Sequence, residues 1–207
     1  VTPRGVMFYP GHIRIERDAQ SRLLGDLDDK LTHILEALSS ASLTADVVSG
    51  GSTPTLWSSH LLGGLTEVRA GTCIFNDRDI RAMQVCTQQQ LAYSVLATVV
   101  STAVPGQVVV DAGSKALAKE SFRSDGGGFG VVFDRPEVFV RALSEEHGVL
   151  DLTNTDWRPG VGDRIRIVPN HVCVSVNLQD GLLAIDGGRS RMLHLDGRGR
   201  APYPGPA

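Results

Sequence analysis

The chain has 207 residues and a formal net charge of −3, and 42% of its residues are hydrophobic. A chain of this length and composition can bury a substantial core, in one domain or in two small ones. The weak negative charge and the lack of a basic run argue against a nucleic-acid-binding protein. No apolar run reaches the length of a membrane span and no signal peptide opens the sequence, so we expect no membrane association.

The three cysteines, Cys73, Cys86 and Cys173, are too few and too widely spaced for a disulfide framework. This usage is typical of a reducing compartment, and we expect a cytoplasmic protein. The first residue is Val rather than Met. We therefore expect the chain to be a piece of a longer protein.

The first ninety residues carry the pattern of a parallel α/β unit. Apolar runs at residues 5–9, 45–49 and 66–70 predict three strands, each followed by glycine within a few residues. Leucines at steps of three and four over residues 18–39 predict an amphipathic helix between the first two strands, and a short helical stretch is expected near residues 57–62. Strands that alternate with helices predict parallel pairing rather than hairpins.

The pattern changes near residue 91, where short β-branched runs separated by turn signals begin. The candidate strands cover residues 93–101, 107–110, 129–133, 137–143, 164–168, 171–178 and 182–185. Short strands at this spacing indicate an antiparallel sheet or barrel. We therefore expect an α/β domain over residues 1–90, a β domain over residues 91–200 and a flexible tail over residues 201–207.

Two of the predicted parallel strands end in glycine-containing turns. The first turn contains Gly50, Gly51, Ser52 and Thr53, and the second contains Gly71 and Thr72. Glycines let the backbone approach an anion closely, and hydroxyl groups add donors, so the two turns together fit a phosphate cup. Many ordinary strand-to-helix turns also contain Gly and Ser. Arg69 alternates with Gly71 onto one face, where it could serve a ligand or form a structural ion pair.

A His-x-Cys pair follows the last strongly apolar strand. If residues 171–178 form a strand, the side chains of His171 and Cys173 point to the same side. An imidazole and a thiolate are suitable zinc ligands, and two protein ligands leave positions open for water or substrate. The alternative is a core cysteine beside a hydrogen-bonded histidine.

Five motifs occur in the order found in the D-serine dehydratase/D-threonine aldolase family. They are VSGGSTPT (48–55), EVRAGTCIFND (67–77), DAGSKAL (111–117), LSEEHG (143–148) and PNHVC (169–173). The chain resembles this family of pyridoxal-phosphate enzymes from residue 5 to about residue 199. The resemblance implies an alanine-racemase-like fold: the last strands of a (β/α)₈ barrel followed by an antiparallel β domain.

The resemblance also implies roles for individual residues. Tyr9 would lie against the cofactor ring and take part in catalysis, and Arg69 resembles the arginine that faces the pyridine nitrogen in the racemase branch. His171 and Cys173 resemble the two protein ligands of the zinc ion in D-serine dehydratases. The residues implied in phosphate binding are Gly50, Gly51, Ser52, Thr53, Gly71 and Thr72.

The second metal-ligand position distinguishes two branches of the family. Where this chain has Cys173, the aldolase branch usually has Asp and a harder, manganese-like ion. A thiolate favours Zn²⁺ over Mn²⁺ on ligand chemistry. The resemblance therefore implies β-elimination from a D-amino acid such as D-serine, with D-threonine aldolase-type retro-aldol cleavage as the alternative, and a homodimer.

The chain departs from the family at the Schiff-base lysine, which normally follows the first barrel strand. The only lysines are Lys30, Lys115 and Lys119, and none has that sequence context. We therefore interpret the chain as the carboxyl-terminal part of a family member. An interpretation of another class is a non-catalytic fragment, or a subunit completed by a second polypeptide.

Overall fold

The computed structural model describes residues 2–124 and 127–198. The chain divides into two compact units. The first contains the residues up to Asn76 together with Ile80–Ala92, and the second contains Asp77–Asp79 together with the residues from Tyr93 onward. The tail expected over residues 201–207 lies outside the described residues.

The first unit is built on a parallel three-stranded sheet, as the alternation of strands and helices predicted. Strand β2 (Val47–Gly50) lies between β1 (Gly5–Met7) and β3 (Glu67–Val68), and both pairings are parallel. The amphipathic helix α1 (Ser21–Ser40) connects β1 to β2. Short 3₁₀ turns lie at Arg17–Ala19, Leu56–Leu61, Thr72–Ile74 and Gln88–Gln90. The five-residue helix α2 (Arg78–Ala82) starts with two residues of the second unit and ends with three of the first.

The leucine spacing of α1 explains how this unit forms its core. Leu24 and Leu31 lie on the same face of the helix, two turns apart, because residues at a spacing of seven return to the same side. Both are buried. Leu24 packs with Ile13 and Leu62 in a small apolar cluster. The helix thus holds the turns that follow the strands against the rest of the unit.

The second unit is a closed antiparallel barrel with the strand order β4-β5-β8-β7-β6-β9. Its strands are β4 (Val95–Ser101), β5 (Gln107–Val110), β6 (Gly130–Val132), β7 (Arg135–Leu143), β8 (Gly148–Asp151) and β9 (Arg164–Pro169). Alternate residues of these strands point inward, among them Val108 and Val110, and Val138 and Val140. The expected antiparallel sheet or barrel is therefore confirmed.

The remaining elements of this unit are two short helices and a hairpin. Helix α3 (Ser114–Leu117) follows β5, and α4 (Val172–Asn177) follows β9. Strands β10 (Gly181–Asp186) and β11 (Arg189–His194) form a separate antiparallel pair. Among the described residues, no helix is both long and apolar enough to cross a membrane.

The strand predicted over residues 171–178 is wrong. Strand β9 ends at Pro169, and the residues after His171 form helix α4. Alternating valines resemble a half-buried strand, but the buried side chains are Val172 and Ser175, which are spaced as on one face of a helix. His171 itself is extended, with φ −133° and ψ 117°, and immediately precedes the helix.

Candidate functional site

The glycine-rich turn after β2 is tightly packed. A Cβ on Gly50 would lie 2.3 Å from the ring of Phe8, and Gly51 has a φ of +95°, which disfavours other residues. Ser52 and Thr53 are both buried. The turn therefore needs glycine at its first two positions so that its backbone can follow this path.

Two hydrogen bonds connect this turn to the second one. The amide of Arg69 donates to the carbonyl of Gly50 at 2.9 Å, and the amide of Cys73 donates to Oγ1 of Thr53 at 3.2 Å. A Cβ on Gly71 would meet no atom within 4 Å, so the second turn opens onto free space. The structure thus brings the residues predicted to bind phosphate together within the first unit. Small residues, hydroxyls and backbone amides form a donor set that suits an anion.

Arg69 and Tyr9 lie near the same strand ends but make different contacts. The guanidinium of Arg69 donates from Nε to Oγ of Ser49 at 2.9 Å and from Nη2 to the carbonyl of Phe8 at 2.7 Å. These acceptors are neutral, so they leave the positive charge of Arg69 available to a ligand. The side chain of Tyr9 is 67% exposed at the end of β1.

The predicted metal ligands lie in the second unit, at the start of α4. His171 directly precedes the helix and Cys173 is the second residue within it, so a strand–helix junction brings them together instead of a shared strand face. Nδ1 of His171 lies 3.1 Å from Oδ2 of Asp77. Asp77 is fully buried, and the same oxygen accepts the amide hydrogen of Val172 at 3.0 Å.

The charge on His171 is controlled by these neighbours. The hydrogen bond to Asp77, followed by one with Cys173, raises the pKa of His171 to about 10 despite partial burial. The hydrogen bond with Cys173 means that the two side chains lie beside each other. In residues 2–124 and 127–198 no group of three or more His, Cys, Asp or Glu side chains is arranged to hold a metal.

Sequence reasoning missed Asp77. It closes the second family motif, but no spacing rule connects it to a histidine 94 residues later. The only signal in the sequence was the position of this acid at the end of the motif at residues 67–77.

None of the three lysines has the surroundings of a buried amine. Lys30 is exposed on α1, and Lys119 is exposed after α3. Lys115 lies 2.6 Å from Glu146 and 3.4 Å from Glu145, which raise its pKa. His171 and Cys173, in contrast, are brought together at one point of the fold.

The known proteins that this chain resembles include dehydratases and aldolases of D-amino acids. The family model described as "Putative serine dehydratase domain" matches residues 92–185. A D-threo-3-hydroxyaspartate dehydratase of Delftia sp. (strain HT23) is 37% identical over 155 residues, 68% of this chain and 41% of the dehydratase. A D-threonine aldolase of Arthrobacter sp. is 32% identical over 74% of this chain and 39% of the aldolase. This chain belongs to the D-serine dehydratase/D-threonine aldolase family.

Solved structures extend the comparison to the fold of this family. The Delftia dehydratase superposes with a TM-score of 0.82 and 30% identity, covering 92% of this chain and 55% of that protein. An alanine-racemase-like protein from Idiomarina loihiensis superposes with a TM-score of 0.77 and 25% identity, again over 92% of this chain and 55% of that one. The alanine-racemase-like fold implied by the five motifs is confirmed. The chain spans less than half the length of the two curated relatives described above.

Proposed function

We propose that this member of the D-serine dehydratase/D-threonine aldolase family is the carboxyl-terminal part of a lyase that depends on pyridoxal phosphate and zinc. The reaction is β-elimination of water from a β-hydroxy D-amino acid, as in D-serine dehydratases. The observation that carries the proposal is the pair His171 and Cys173 at the start of α4, with Asp77 behind the imidazole.

The chemistry of this pair fits zinc. Thiolate and imidazole are soft and borderline ligands, which favour Zn²⁺ over Mn²⁺. Solved structures of D-threo-3-hydroxyaspartate dehydratase also include a histidine-to-alanine mutant and a cysteine-to-alanine mutant in a metal-free form. Those two substituted positions are two residues apart, the same spacing as His171 and Cys173. The match in residue type, order and spacing supports a metal site on these two residues.

The turns of the first unit fit the phosphate of the cofactor. Gly50 and Gly51 carry no side chain of their own that could block an anion from the backbone amides, and the turn at Gly71 opens onto free space. In this proposal the two turns bind the phosphate, Tyr9 contacts the ring and Arg69 supplies positive charge near it. When bound, pyridoxal phosphate acts as an electron sink for the bonds at Cα.

The residues of this chain orient and activate the leaving group. His171 and Cys173 hold a zinc ion, which supplies Lewis acidity toward an oxygen leaving group when bound. Asp77 accepts a hydrogen bond from Nδ1 of His171, so Nε2 is the nitrogen that can ligate. Because the metal-free imidazole binds its proton tightly, zinc binding should release protons.

The zinc site is tested by metal analysis of the full chain. We expect the wild-type chain to retain about one zinc ion per chain after dialysis, since two protein ligands and ordered water complete a tetrahedral site. We expect Cys173→Ala to retain none. Cys86→Ala, which removes a thiol of the first unit, is the matched control and should keep the zinc. Equal zinc content in wild type and Cys173→Ala would contradict the proposed metal site.

A second measurement separates a complete active site from a partial one. When pyridoxal phosphate is added and reduced with borohydride at low stoichiometry, we expect labelling to be partial and spread over Lys30, Lys115 and Lys119, because all three are exposed amines and none is enclosed in a site. Peptide mapping by mass spectrometry detects the modification. Stoichiometric labelling of one lysine would show instead that this chain alone holds the complete cofactor site.

A further inference from the structure

We infer that Asp77 is the residue that positions both metal ligands: its carboxylate orients the imidazole of His171 and fixes the start of the helix that carries Cys173. The inference rests on the zinc site proposed above. It concerns a residue of this chain that no motif spacing assigns to the site.

The first contact fixes the histidine. Oδ2 of Asp77 lies 3.1 Å from Nδ1 of His171, and a carboxylate can only accept a hydrogen bond, so Nδ1 carries the hydrogen. The tautomer that suits a metal then has its lone pair on Nε2. Carboxylates behind ligating histidines fix the ring orientation and make the imidazole a stronger ligand.

The second contact fixes the helix. The same oxygen accepts the amide hydrogen of Val172 at 3.0 Å, and Val172 is the first residue of α4. The first amides of a helix have no partner within the helix, so an acceptor from elsewhere in the sequence determines where the helix begins. Cys173 is the next residue. The position of its sulfur therefore depends on the same carboxylate.

Asp77 is itself held in place by its neighbours. Nη1 of Arg78 donates to Oδ1 of Asn170 at 3.1 Å, and the amide of Asp79 donates to the carbonyl of Asn170 at 3.2 Å. With the two bonds to Asp77, four hydrogen bonds join residues 77–79 to residues 170–172. The buried side chain of Asp77 is 0% exposed. An acceptor held this firmly does not need to be reorganised when a metal binds.

The experiment compares zinc affinity in the full chain carrying Asp77→Ala, Asp77→Asn or Asp79→Asn. We expect Asp77→Ala to bind zinc about 10–100-fold more weakly than wild type, the usual cost of losing such a partner. Asp77→Asn keeps an oxygen acceptor but loses the charge, so its affinity for zinc should lie between that of wild type and that of Asp77→Ala. Asp79→Asn changes an equally buried acid on the same segment and should bind zinc like wild type.

Two readouts distinguish positioning from a purely structural role. Chelator competition gives the zinc affinity, and the thiolate-to-cobalt absorption of Co²⁺-loaded protein reports whether Cys173 ligates. Circular dichroism of the metal-free variants establishes that each is folded. A folded Asp77→Ala variant with wild-type affinity and an unchanged cobalt spectrum overturns the inference, as does an equal loss in Asp79→Asn.

The same series tells this inference apart from the proposed function. If the wild-type chain binds no zinc, the proposed metal site fails and the inference fails with it. If wild type binds zinc and the Asp77 variants bind it equally well, the metal site stands and only the role of Asp77 is wrong.

Discussion

Replacing Asn170 with alanine is expected to lower the free energy of unfolding of the second unit by roughly 3–4 kcal/mol. Asn170 is 2% exposed, and its Nδ2 donates to the carbonyls of Glu120 at 2.9 Å and Gly128 at 2.8 Å. Its Oδ1 accepts from Arg78 at 3.1 Å. Truncation would remove all three bonds at once, and buried groups left without partners are costly.

The guanidinium of Arg78 makes this loss larger. Burial lowers the pKa of Arg78 to about 10, which shows that water solvates its charge poorly. The guanidinium relies on the carbonyl of Gly127 at 2.7 Å, the ring of Phe122 at 3.7 Å and Oδ1 of Asn170. Because Arg78 is half-buried, solvent offsets the loss of this acceptor only in part.

Chemical denaturation followed by circular dichroism measures the change. The control is Asn154→Ala, which truncates an exposed asparagine in the same unit and should change stability by at most about 0.5 kcal/mol. If the two variants unfold at the same denaturant concentration, the hydrogen bonds of Asn170 do not contribute the expected stability.

Replacing Gly113 with alanine is the second change with a large expected effect. The glycine follows β5 and is buried against the turn between β7 and β8. A Cβ at this position would lie 2.3 Å from the carbonyl oxygen of Glu145 and 2.5 Å from the amide nitrogen of His147. Both are backbone atoms, so no side chain can rotate away. We expect a loss of about 3 kcal/mol, at the upper end of the range for overpacking.

The matched control is Gly160→Ala, because a Cβ there would have its nearest contact, Oδ2 of Asp163, at 3.9 Å. Thermal unfolding of the two variants should separate them by several degrees for a unit of this size. Equal midpoints of thermal unfolding would mean that the backbone around Gly113 shifts to accommodate a Cβ without loss of stability.

The same turn brings two of the five family motifs into contact. The amides of Ser114 and Lys115 donate to the carbonyls of Ser144 and Glu145, at 2.9 Å and 3.1 Å. The motifs at residues 111–117 and 143–148 therefore contact each other through backbone hydrogen bonds. Their role is structural, and Lys115 remains an exposed side chain in that contact.

Patterns that arise from one-sided burial could be predicted from the sequence. Helix α1 has a leucine-rich face, and β5 alternates half-buried and buried residues, so both appear in the structure close to their predicted bounds. Strand β11 was not predicted, since five of its six residues are exposed and no alternation results. Strand β8 was missed because only its two central residues, Val149 and Leu150, are apolar, so its alternating burial leaves no apolar run in the sequence.

The contacts of the candidate metal ligands could be predicted only in part, for a different reason. His171 and Cys173 are two residues apart in the sequence, and their side chains interact because His171 is still extended where the helix begins. The predicted strand was wrong, because the alternating valines indicate the two-residue repeat of a strand and the segment forms a helix. Asp77 could not be found at all, since its contact to His171 spans 94 residues and depends on tertiary structure.

The membership of Asp77–Asp79 in the second unit limits how the protein can be divided. The region matched by the family model begins at residue 92 and excludes these three residues. A polypeptide that starts at Tyr93 would contain every strand of the barrel and both His171 and Cys173. It would still lack the acceptor for the imidazole and for the first amide of α4. The second unit, with the contacts that hold His171 and the start of α4, is thus discontinuous in the sequence.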